Sequence, residues 1–120
     1  MATVNGVVGT QTITGKTVTD GRHPAVIRIM EFASGTGTIK AGEIIALNAS
    51  GKAVSFDPAA SDTAKTPVGV CTEDIDTAVN TAGSVAVHGT VMKKSLLTQG
   101  AASSAAHITA LEANAPVWVF

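Results

Sequence analysis

The chain has no tyrosine, one tryptophan and three phenylalanines, so the rings that each bury about 150–250 Å² in an ordinary core are nearly missing. Its apolar fraction of 45% comes mainly from 20 Ala and 14 Val. A core of such small pieces buries less surface per residue, and self-association would cover what a monomer leaves open. Charge is scarce as well: 14% of residues are charged, against roughly 25% in an average soluble domain. Much of the surface is therefore Thr, Ser, Ala and Gly, which suits close packing against neighbours. With 8 Lys and Arg against 9 Asp and Glu, the chain lacks the basic footprint of phosphate-backbone binding, and no direct nucleic-acid partner is expected.

A single cysteine, Cys71, excludes an intrachain disulfide and points to a reducing compartment during assembly. The start MATVNGVVGT has neither a basic flank nor an apolar core of about 7–15 residues, so no secretory signal is expected. No run of about 18 apolar residues occurs, so no membrane span is expected either. The 120 residues fit one domain.

The pattern that is present is mainly β. Residues 1–21 are rich in Thr, Gly and Val, and Val4, Val7, Val8 and Ile13 are too scattered for a strong strand or helix. They read as an extended N-terminal arm that orders on a partner, or as a partly disordered terminus. Residues 22–120 form the β-rich domain. In Ala25 to Phe32, AVIRIMEF, the residues Val26, Ile27, Ile29, Met30 and Phe32 predict a core strand buried on both faces apart from Arg28 and Glu31. Ser34, Gly35 and Gly37 break it, and Lys40-Ala41-Gly42 turns the chain into a strand over Glu43 to Leu47. Asn48-Ala49-Ser50-Gly51 predicts a hairpin turn with Ala53, Val54 and Phe56 on the return strand.

Asp57 to Thr66 is a loop by composition, and Pro67 introduces a strand from Val68 to Thr72. An acidic turn with Glu73, Asp74 and Asp76 follows. Gly83 then starts a run in which Val85, Val87 and Val91 fall on alternate positions, the period of a strand. Gly89 suggests a bulge or a close backbone approach. The single helical segment is Ser103 to Asn114, with Ala105, Ile108 and Leu111 at three-residue spacing, Ser103 or Ser104 as N-cap and Asn114 available as a left-handed C-cap. Pro116 stops it, and Val117 to Phe120 predicts a terminal strand.

No chemical motif survives inspection. Cys71 sits mid-strand between apolar positions, where a free thiol behaves as a small hydrophobe, and His88 reads as a surface or interface residue, so the pair is a remote candidate for nucleophile and base. His23, His88 and His107 have no partners at metal-ligand spacing. Asp74-Ile75-Asp76 begins like a calcium loop, but Val79 stands where glycine is required and no glutamate closes it. SGTGTIKAG lacks both the third glycine and a GK[ST] step of phosphate loops. Lys40 sits in a sharp turn similar to that of lipoyl and biotinyl carrier domains, which makes a hammerhead-type carrier or small binding module modified on Lys40 the alternative reading. Cofactors, metals and catalytic residues are not expected.

Taken in order, AGEIIALNASGKAVSFD, TPVGVCTEDIDT and GSVAVHGTVMKKSLL give hairpin, loop, VGV strand, acidic turn and HGTV strand. Over residues 41–97 this pattern resembles the head decoration proteins of lambdoid tailed phages. The resemblance implies a small non-enzymatic capsid cement protein with a β-tulip or barrel-like fold. It implies a homotrimer at three-fold and quasi-three-fold positions on the outer surface of the expanded head, with the major capsid protein as partner. It also implies an N-terminal arm ordered against the shell, here with Val4, Val7, Val8 and Ile13 as candidate contacts.

Overall fold

The computed structural model describes residues 18–19 and 25–120. Among these residues ten strands and one α-helix follow in the order β1 (Val26–Glu31), β2 (Thr38–Ile39), β3 (Ile44–Leu47), β4 (Ala53–Ser55), β5 (Pro67–Cys71), β6 (Ile75–Asp76), β7 (Ala82–Val91), β8 (Leu97–Thr98), β9 (Ala101–Ala102), α1 (Ala105–Asn114) and β10 (Val117–Val119). The domain is compact and mostly β, as the sequence predicts.

Local chemistry sets the turns. In the β3–β4 hairpin, Asn48 Oδ1 accepts from the amides of Ser50 and Lys52 at 2.9 and 3.0 Å, and Gly51 takes φ +81°. An asparagine that holds its own backbone two residues on, followed by a glycine free to adopt positive φ, is what such a turn demands. The β8–β9 hairpin turns through Gln99 and Gly100, both at positive φ (53° and 80°), the geometry of a primed two-residue turn. Ser104 caps α1: its Oγ accepts from the His107 amide at 3.4 Å while His107 Nδ1 accepts from the Ser104 amide at 3.3 Å, a reciprocal box with histidine in the usual glutamate place.

The main sheet runs β10-β7-β5-β3-β4, antiparallel except for the β7–β10 pair, and β1 also pairs with β7. Both β1 and β5 pair with Val85 and Ala86, so they occupy opposite edges of β7. The sheet does not close into a barrel; its ends are joined where Phe32 bridges Ala53 and the Ala33 amide donates to the Ala53 carbonyl at 3.0 Å. Two apolar clusters cover its faces. Ile44, Ala46, Val70 and Val91 pack with Leu111, Val117, Leu96 and Phe56 on the helix side. Ile45, Cys71 and Val85 pack with Phe32, Ile39 and Ile75 on the other. Alternation between two dry faces explains why β3 reads as an unbroken apolar run. Two aromatic side chains, Phe32 and Phe56, are fully buried, and Ala41, Ala46, Ala53, Ala86 and Ala115 fill the rest.

Four expectations need correction. Val26 to Glu31 is not buried on both faces: Val26, Ile27 and Ile29 are 51, 44 and 71% exposed, because β1 is an edge strand with no layer of the described residues over it. The valines of β7 do not share one face. The pairing with β1 slips between Ile27↔Ala86 and Val26↔His88, which leaves Val87 as an extra residue; Val85 and Val87 then join one cluster and Val91 the other. The bulge thus precedes Gly89, which itself takes φ 126°. Asn114 is not a left-handed cap. It is the last helical residue, its side-chain amide donates to the Ala110 carbonyl at 2.8 Å, and Ala115 leaves the helix in extended conformation.

Within the arm segment, Val18 and Thr19 belong to the domain. Val18 is buried in the helix-side cluster, its carbonyl accepts the Met92 amide at 2.8 Å, and Thr19 bridges Val91. Val4, Val7, Val8 and Ile13 lie outside the described residues.

A candidate interaction surface

β1 and β10 flank β7, and five exposed large apolar side chains of the described residues lie on or beside them: Val26, Ile27 and Ile29 on β1, Trp118 on β10 and Phe120 just after it. Trp118 is 44% and Phe120 54% exposed. The register explains the grouping. Val26 stands opposite His88 and Trp118 opposite Thr90, so the two strands meet consecutive parts of β7. The His88 and Trp118 rings meet edge to face at 5.6 Å between centroids. An edge strand with three exposed branched side chains is what soluble monomers avoid, because it templates further strand pairing. The charges on β1 blunt it little. Glu31 is paired with Lys52 at 2.6 Å on the surface, a contact worth under about 1 kcal/mol.

The candidate chemical residues are not brought together. Cys71 pairs with Val85, three residues before His88, which is about 10 Å along a strand. It is buried and its Sγ donates to the Glu73 carbonyl at 2.9 Å. Burial pushes its thiol up to about 11, and the nearby carboxylates of Glu73, Glu43 and Asp74 act in the same direction. A raised thiol in the folded state means that folding disfavours the thiolate. Stability is therefore level below pH 9, the ordinary thiol value, and declines as pH rises from 9 to 11 while the unfolded chain ionises first. Urea titrations at pH 8 and pH 10.5 are expected to show that decline in wild type and a smaller one in Cys71→Ala.

Lys40 is exposed and lies between β2, which pairs with β6, and β3, which pairs with β4 and β5. It is therefore not at a hairpin tip. Gly42 at φ 95° makes the turn, and the buried Glu43 side chain locks it by accepting from the Lys40 amide at 2.8 Å and from Ser55 Oγ at 2.7 Å. The acidic turn is structural too. Asp74 accepts the Ala41 amide at 2.7 Å, and Glu73 accepts the amide and hydroxyl of Ser84 at 3.0 and 2.7 Å. Gly35 and Gly37 take positive φ around Thr36, whose amide donates to Thr77 Oγ1 at 2.9 Å, so that segment is a turn pinned to the next loop. Among the described residues no three His, Cys, Asp or Glu are grouped as a metal site. His23 lies outside them.

The sequence reading missed the surface role of Trp118 and Phe120. Their signal was present in the concentration of half of the four Phe and Trp residues within the last three positions of a ring-poor chain. No protein-family model and no curated protein matches the chain.

Proposed function

We propose that the protein is a structural cement that binds the outer surface of an expanded phage head, as a trimer, and ties neighbouring shell subunits together against the pressure of packed DNA. The observation that carries this reading is the exposed apolar surface of β1 and β10. A strand of the shell protein added along β1 gains main-chain hydrogen bonds for affinity, while Val26, Ile27 and Ile29 set register. Residues 1–17 supply a second attachment. Three linked attachments per trimer raise avidity by about 10² to 10⁴ over one, so each contact can be weak. The resemblance over residues 41–97 supports the same role, and the major capsid protein is the partner it implies.

Cosedimentation with expanded empty heads tests the arm. The cut has to spare Val18, which is core, so the comparison is between the full chain and one lacking residues 1–17. The shortened chain is expected to keep its far-UV spectrum and to bind at least about 100-fold more weakly. Equal binding by both forms would remove the arm from the account.

A further inference from the structure

Val79 stands apart from the β1 and β10 surface and is 83% exposed, the most of any large apolar side chain among the described residues. Its loop is held firmly. The amides of Val79 and Asn80 both donate to the Asp76 carbonyl, at 3.0 and 2.8 Å, and Asp76 Oδ1 accepts from Ala78 at 3.0 Å. Beneath it the buried Thr77 donates its hydroxyl to the Gly37 carbonyl at 2.7 Å. The exposed acidic residues Glu73, Asp74 and Asp76 precede this apolar tip in the chain.

Beyond the far end of β7 lies a groove of about 720 Å³ with Met92, Leu96, Ala102 and Phe120 along it and the exposed Lys93 and Lys94 at its rim. Neither lysine is in an ion pair within the described residues. The ten residues of β7 separate tip from groove by about 30 Å, so a copy cannot fill its own groove.

We infer that the tip at residues 76–80 of one copy seats Val79 in this groove on a second copy, with Lys93 and Lys94 facing Glu73, Asp74 and Asp76. The charges match: an exposed valine on a loop that follows an acidic turn meets an apolar groove lined also by two lysines. The groove has room for Ala78, Val79 and Asn80 together. Because the tip is already ordered, little conformational entropy is lost on docking. Knob and groove are different surfaces, so copies join head to tail and a closed ring satisfies every one of them. The ring size of three rests on the cement reading, whereas the contact needs no shell.

Sedimentation equilibrium of the full chain tests it, with Val79→Asp as the knob variant and Lys93→Glu with Lys94→Glu as the groove variant. All three side chains are exposed, and unchanged far-UV spectra will show that both variants fold. Wild type is expected to be a closed oligomer that weakens with salt. Each variant is expected to self-associate at least about 30-fold more weakly. An equimolar mixture of the two holds one intact knob and one intact groove per pair, and is expected to give dimers and nothing larger. A monomeric wild type, variants that assemble like wild type, or a mixture that forms no dimer would each overturn the contact. Head binding is read in parallel: failure of this contact leaves assembly insensitive to these substitutions, whereas failure of the cement reading leaves heads bare with every form.

Discussion

Replacing Gly69 by alanine is expected to lower stability by about 3 kcal/mol, which for a domain of this size lowers the thermal midpoint by about 10–15 °C. Gly69 lies in β5, where β5 packs edge to edge with β7. A Cβ built there falls 2.5 Å from the Ala86 carbonyl oxygen and 2.8 Å from Val85 Cγ1. The first of these is backbone in the central strand, so relief requires the two strands to part where Val70 pairs with Ala86. Gly83 makes the instructive contrast. Its added Cβ overlaps Ile75 Cδ1, the end of a side chain, so shortening that side chain removes the worst overlap and leaves Ile75 Cγ1 at 2.9 Å and Phe32 Cε1 at 3.1 Å. Gly83→Ala is expected to be destabilising alone and to recover part of its loss in combination with Ile75→Val, whereas no side-chain change recovers Gly69→Ala. Thermal melts of Gly69→Ala, Gly83→Ala, Ile75→Val and the Gly83→Ala, Ile75→Val combination measure this, the last three with wild type forming a double-mutant cycle. A Gly69→Ala protein as stable as wild type would mean that β5 and β7 are not packed this closely.

The segments readable from sequence are those whose structure is decided within a few residues. Asn48 to Gly51 makes its own hydrogen bonds, Pro67 opens β5, Ser104 caps α1 and Pro116 ends the helical run before β10. Each is a local rule. What local rules cannot carry is which apolar strand ends up covered. AVIRIMEF and EIIAL look alike in composition, yet Ile44 and Ile45 are fully buried while Ile29 is 71% exposed. The difference lies in topology: β3 sits between β4 and β5 with a cluster on each face, and β1 hangs on the free side of β7. Period-two counting failed in β7 for a related reason, since one extra residue at Val87 exchanges the faces beyond it. The interaction surface was legible only in part. The sequence marks the residues of β1 as apolar but suggests an interior strand, and the position of Trp118 beside β7 depends on a parallel pairing between positions far apart in the chain.

That surface yields the second large effect. Ile27 and Ile29 are 44 and 71% exposed, so changing both to lysine is expected to alter folding stability by under about 1 kcal/mol. In the proposed cement role their burial against a shell strand would be worth about 1.5–3 kcal/mol each, and two ammonium groups would have to be desolvated in their place. Head binding by the Ile27→Lys, Ile29→Lys protein is therefore expected to fall by at least about 100-fold. For the proposed cement role, the decisive measurement is the temperature at which DNA-filled, undecorated phage heads that the protein binds rupture, with and without added protein. The account predicts that saturating wild-type protein raises that temperature and that the folded double-lysine variant leaves it where it was. Heads that rupture at one temperature under all three conditions, with wild-type protein left in the supernatant, would contradict it.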